Sequence, residues 1–98
     1  MFLAACSQRT KNIRLGGMGH VVPLHNPLRL VEEIAVADQM LGGRVEVGLV
    51  PGITDVYFHP FKVDFQSRRE VTLDFVGFLK KAYSSPHPFS YESKHHQF

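Results

Sequence analysis

The sequence of 98 residues contains no tryptophan and a single cysteine, Cys6. One thiol cannot close an internal disulfide, so a disulfide-stapled secreted scaffold is excluded and a reducing cytoplasm is the expected setting. Charge of either sign is also in short supply: 11 Lys and Arg against 9 Asp and Glu leave a formal +2. The basic residues are scattered rather than gathered on one face, which argues against a nucleic-acid binder. No apolar run approaches the roughly 18 residues of a membrane span. "LAAC" at Leu3–Cys6 has the look of a lipoprotein cleavage box, but only Met1 and Phe2 precede it, with no basic or apolar lead, so no signal peptide is expected. No internal repeat is present. A chain this short makes one domain with a small core.

What the sequence does have is punctuated periodicity. Residues 1–11 read as the end of a helix. Residues 13–22, "IRLGGMGHVV", read as a strand with a glycine-rich centre of the kind that marks a bulge or a close backbone approach, ended by Pro23. Asn26 followed by Pro27 is a helix start: the Asn side chain can accept free N–H groups of the first turn, and Pro at the first position loses no hydrogen bond. Leu30, Ile34, Ala37 and Leu41 then recur at helical spacing over 27–41, and Gly42–Gly43 supply the stop. Residues 44–50, "RVEVGLV", alternate as a strand. Residues 53–65 show no period and read as a packed loop with room for one helical turn. A second helix is expected over 67–83, with Val71, Phe75, Phe78, Leu79 and Ala82 on one side, ended by "SSPHP". The tail 84–98 alternates weakly, as a small hairpin would. Strand, helix and strand with a long crossover predict a parallel α/β arrangement.

The stretch "VPLHNPLRLVEEIAVADQMLGGRVEVGL", residues 22–49, resembles luciferase-like flavin-dependent monooxygenases almost position for position. "RTKNIRLG" before it resembles that family's third strand and its approach. "FKVDFQSRREV" and "FLKKAYSSPHPFSYESKHHQF" resemble its fourth helix and the insert that follows. The resemblance implies a partial (β/α)8 TIM barrel, of which this chain supplies the third and fourth βα units only; whole barrels of this kind run to about 250 residues. It also implies FMN as cofactor, with the deazaflavin F420 as the alternative, and a small organic substrate oxygenated with dioxygen. Met18 and Gly19 fall where relatives hold a non-prolyl cis peptide under the flavin ring. Arg69 matches an arginine that approaches the flavin phosphate, for which a guanidinium fork is well shaped. Val50 and Pro51 stand where the family commonly has glycine and arginine. The first two βα units, which in many relatives carry a catalytic histidine, lie outside the sequence. Catalytic residues are therefore left unassigned, and the isolated chain is expected to be inactive.

Other constellations carry less. Six histidines, His20, His25, His59, His87, His95 and His96, show no ligand spacing and have no cysteine partners, so no metal site is expected. By alternation His20 shares the face of Met18. "GGMGH" lacks the third glycine of a dinucleotide fingerprint. Glu32 and Glu33 are adjacent on a helix and point different ways, a poor arrangement for acid–base work. Asp38 lies in the second half of its helix, unfavourable for a carboxylate, and a partner is expected in Arg44 or in a backbone N–H of the glycine turn. Two functions follow: a flavin-dependent monooxygenase, or a catalytically silent fragment that associates with itself or another chain to cover an exposed sheet.

Overall fold

A computed structural model describes all 98 residues, Met1–Phe98. It contains helix α1 (Phe2–Ser7), strand β1 (Leu15–Val21), helix α2 (Pro27–Leu41), strand β2 (Val45–Val50) and helix α3 (Arg68–Ser84), with single 3-10 turns at Val22–Leu24, Asp55–Tyr57 and His59–Phe61. Strands β1 and β2 pair in parallel, joined by α2, as the long crossover requires. No helix is long and apolar enough to cross a membrane.

Local chemistry sets the element ends. Asn26 Oδ1 accepts the Arg29 N–H at 3.2 Å, and Pro27 occupies the first turn of α2. At the other end Gly42 turns left-handed at φ +59°, and the Gly42 and Gly43 N–H groups return to the carbonyls of Gln39 and Asp38. The first strand begins two residues later than its apolar pattern suggests, and Val22 leaves it, because Pro23 draws Val22–Leu24 into a 3-10 turn. Arg44 lies ahead of β2 and works as a clasp: Nε donates to Leu41 O at 2.8 Å, Nη1 to Ile13 O at 2.7 Å and to Thr10 Oγ1 at 3.1 Å, and Nη2 to Thr10 O at 3.1 Å. Arg44 is thus committed to α2 and to the approach of β1, and Asp38 receives nothing from it. Only the Asp38 backbone carbonyl is engaged by the glycine turn.

The core is small: Val22, Leu30, Ile34, Phe75 and Phe78, with Val47 and Leu49 of β2 packed against it. The apolar faces of α2 and α3 therefore meet over one side of the sheet. The tail closes α3 as a hairpin, in which Tyr91 and Phe98 exchange backbone hydrogen bonds and their rings flank Phe78 at 5.2 and 5.0 Å between centroids.

Candidate functional site

Which way each strand residue faces follows from the core. Val47 and Leu49 pack against it, so alternation turns Glu46, Gly48 and Val50 to the opposite, open face. In register with β2, Gly16 stands beside Glu46 and Val21 beside Val50 on that open face, while Leu15 and Gly17 pair with Val45 and Val47 on the helix face. The pairing slips between Gly17 and His20, where β1 carries an extra residue, and His20 comes into register with Leu49. The Met18–Gly19 peptide, which is cis, lies inside this irregular stretch.

The open face is consequently mostly backbone. Gly16, Gly19 and Gly48 cover it without side chains. The space beside all three is already filled: a Cβ on Gly16 would run into Glu46 O and lie 2.8 Å from Glu46 Cβ, one on Gly48 would lie 2.7 Å from Gly17 O, and one on Gly19 2.9 Å from Gly48 O and 3.0 Å from Val50 Cγ1. These contacts are between the strands, so glycine is what lets β1 and β2 approach across the irregularity. The Met18 side chain stands free of the protein, 99% exposed. At the start of the strands the face is closed by an ion pair between Arg14 Nε and Glu46 Oε1.

The extra residue in β1 overturns the simple alternation for His20. Its imidazole shares the helix face with Gly17, meets the His25 ring edge-on at 5.9 Å, and lies away from the glycine face. Burial lowers its pKa, helped by His25 and opposed by Glu33. His20 also borders a crevice of about 540 Å³ between α1, α2 and the sheet, lined by Leu3, Val36, Met40 and Val45 among others. That crevice is on the other side of the sheet from Gly48.

At the far end of β2 the chain passes through Pro51 and Gly52 and returns to α3. Asp64 prepares the helix start: its carboxylate accepts the Gln66 and Ser67 N–H groups, both at 3.0 Å, and those bonds hold its pKa below the usual carboxylate range. The first turn of α3 then presents two adjacent arginines. Arg69 is exposed and takes part in no ion pair. Arg68 is half-buried: Nε donates to Gly52 O at 3.3 Å, Nη1 to Phe65 O at 3.0 Å, and the guanidinium lies 3.8 Å from the centre of the Phe65 ring. Arg68 therefore ties α3 to the end of β2. Nothing in "SRRE" distinguishes the two arginines; the difference comes from Phe65 and Gly52, remote enough that spacing alone conceals it.

A polar cluster on the outer side of α3 has a different character. Asp74 accepts hydrogen bonds from Tyr91 Oη, Ser93 Oγ and His96 Nδ1. Ser93 Oγ donates to the carboxylate rather than to an imidazole nitrogen, so the trio lacks the relay of a nucleophilic triad and serves as a fastening for the tail. No three His, Cys, Asp or Glu side chains gather in a way that could hold a metal ion.

Known proteins share this arrangement. A family model described as luciferase-like monooxygenase matches residues 1–98. The alkanal monooxygenase alpha chain of Aliivibrio fischeri is 34% identical over 84 residues, 84% of this chain and 24% of that protein. The 2,5-diketocamphane 1,2-monooxygenase 1 of Pseudomonas putida is 39% identical over 64 residues, 63% of this chain and 18% of its own. Among solved structures, a monooxygenase from Streptomyces bottropensis superposes with a TM-score of 0.91 at 25% identity, covering 99% of this chain and 29% of that one. The oxygenating constituent of 3,6-diketocamphane monooxygenase from Pseudomonas putida, solved in complex with FMN, gives 0.81 at 22% identity over 98% of this chain and 27% of that one, a likeness of fold. The chain spans about a quarter of the length of the Aliivibrio relative. By the match along all 98 of its residues, it belongs to the luciferase-like monooxygenase family.

Proposed function

We propose that this chain forms the third and fourth βα units of a flavin-dependent monooxygenase barrel and contributes one wall of its FMN site. The observation that carries this reading is the bare open face of the strand pair. Gly16, Gly19 and Gly48 put no side chain on this face between Glu46 and Val50, beside an exposed Met18, and leave backbone there for a planar ring system to lie against. In an open α/β arrangement ligands sit beyond the carboxyl ends of the strands. That is where Gly52 and the first turn of α3 stand, tied together by Arg68.

The residues fit FMN in kind. Met18 offers an exposed side chain and Gly19 bare backbone to the ring, and Arg69 with Arg68 offers two guanidinium groups to a phosphate dianion. Their contribution matters more here because Pro51 supplies no N–H and no charge. The Gln66 and Ser67 N–H groups, occupied by Asp64, are not available to an anion. When bound and reduced, the flavin supplies the electrons with which one atom of dioxygen enters an organic substrate and the other leaves as water. The chain's own part is to hold the ring and phosphate; His20, turned to the helix face, takes no part. The deazaflavin F420 is the alternative occupant of the same surface. Titrating FMN into the purified chain tests the reading. A saturable change in flavin fluorescence is expected, and an unaltered spectrum contradicts it.

A second reading, association with another copy, is favoured by one observation. The chain exposes 7116 Å², whereas a folded monomer of its mass exposes about 5,700 Å². The excess exceeds the roughly 800 Å² that each partner gives to a stable interface. Both strands have an unpaired edge, since the sheet has only two. Analytical ultracentrifugation giving a dimer supports this reading, and a monomer at all concentrations opposes it.

A further inference from the structure

The aromatic packing beneath Arg68 points to a role for a residue of the loop between β2 and α3. Phe58 is the one fully buried side chain of the loop between β2 and α3, and the Phe65 ring meets it edge-on, 5.1 Å between centroids at 80°. Phe58 also fills the space beside Gly52, where a Cβ would lie 2.8 Å from its ring. Phe65 is thereby fixed against the end of β2. On this fixed ring lies the Arg68 guanidinium, 3.8 Å from its centroid, bonded to Gly52 O and to Phe65 O. Those bonds use two of the five N–H donors of the fork, and three remain.

We propose that Phe65 is a positioning residue for phosphate recognition: it holds the Arg68 guanidinium in place at the carboxyl end of β2, so that the three spare donors are pre-oriented for the phosphoryl group of FMN. The proposal rests on the FMN reading given above. Its physical content is that a guanidinium already stacked and bonded loses little freedom on meeting a phosphate, whereas a free arginine must be ordered at the moment of binding. The carboxylates on either side along the chain are engaged elsewhere, Asp64 by the Gln66 and Ser67 N–H groups and Glu70 by Lys94, so neither has a bond to Arg68 to give up. Phe65 touches the cofactor only through Arg68. Its removal therefore weakens binding of the phosphorylated flavin and not of the unphosphorylated one.

The experiment measures dissociation constants of FMN and of riboflavin, by flavin fluorescence, for the full chain and for Phe65→Leu, Phe65→Tyr, Arg68→Ala, Arg68→Lys and Phe65→Leu/Arg68→Ala. Expected are an FMN affinity about fivefold weaker in Phe65→Leu, the order of one stacked cation–aromatic contact, with riboflavin affinity unchanged. Phe65→Tyr, which keeps the ring, retains FMN affinity. In the Arg68→Ala background Phe65→Leu has no further effect. If Phe65→Leu does not fold, Arg68→Lys decides, because it keeps the charge and removes the planar fork: FMN affinity weakened with riboflavin unchanged supports the proposal, and unchanged FMN affinity overturns it. Equal weakening of both flavins by Phe65→Leu, or an undiminished effect without Arg68, overturns the positioning role alone. So does a wild-type chain that binds FMN and riboflavin equally. A wild-type chain that binds no FMN overturns both this role and the FMN reading.

Discussion

His96 Nδ1 lies 2.8 Å from Asp74 Oδ2, joining the last residues of the chain to the middle of α3. Both side chains are nearly buried, at 9% and 14% exposure, and Asp74 also receives the hydroxyls of Tyr91 and Ser93. The tail hairpin is thus fastened by one carboxylate with three donors, and the ring pairs with Phe78 depend on it.

Asp74→Asn removes the charge and turns one acceptor into a donor facing donors. A loss of about 2 kcal/mol in unfolding free energy is expected, measured by urea denaturation. Burial pushes the Asp74 carboxyl up, but the bonds from Ser93, His96 and Tyr91 outweigh it and hold the pKa below the ordinary range. The stabilisation is accordingly complete above about pH 4, where an unfolded aspartate is ionised, and is lost as pH falls through the depressed folded value. Amide exchange of Tyr91 and Phe98 should be slow down to that point and fast below it.

His20 gives the opposite kind of pH dependence. Burial and the neighbouring His25 lower its pKa in the fold, against the pull of Glu33, while the unfolded side chain takes up a proton near about 6.5. The unfolded state therefore binds more protons just below that pH, and stability falls as pH drops from about 6.5 toward the folded value. Urea midpoints for wild type and His20→Gln, compared between pH 7.5 and 5, should diverge with wild type losing more. Parallel curves would remove His20 as the cause.

Gly48→Ala tests the close approach of the strands. The added methyl would meet Gly17 O at 2.7 Å and the Gly19 Cα at 3.4 Å, both backbone atoms that cannot swing aside. A cost of about 1–3 kcal/mol is expected, again from urea denaturation. Gly43→Ala, where a Cβ meets nothing within 4 Å, pays only for its φ of +82° and should lose less.

Much of this architecture was legible in the sequence because it is written in local signals. Asn26–Pro27 and Gly42–Gly43 bound α2 as caps do, and Val45, Val47 and Leu49 alternate as a strand resting on a core. What escaped depends on contacts between distant residues. The extra residue between Gly17 and His20 reversed the expected facing of His20, since alternation holds only in an unbroken strand. Arg44, one of the two partners the pattern offers Asp38 beside a backbone N–H of the glycine turn, is claimed instead by four carbonyl and hydroxyl bonds to Leu41, Ile13 and Thr10. Arg69 was singled out by resemblance, whereas the stacking of Arg68 on Phe65 has no sequence signature at all. The fastening of the tail by Asp74 was equally hidden, because Tyr91, Ser93 and His96 meet it from 17 to 22 residues away.

If FMN lies on the glycine face of the β1–β2 pair, as proposed, the three methionines report on it directly. Met18 stands on the irregular stretch of β1 beside that face, while Met1 and Met40 line the crevice on the helix side. With the methionine methyl groups labelled with carbon-13, NMR spectra recorded during an FMN titration should show the Met18 methyl shifting in step with flavin binding and the other two holding still. Shifts at Met1 and Met40 with Met18 unmoved would place the flavin in the crevice instead, and contradict the account.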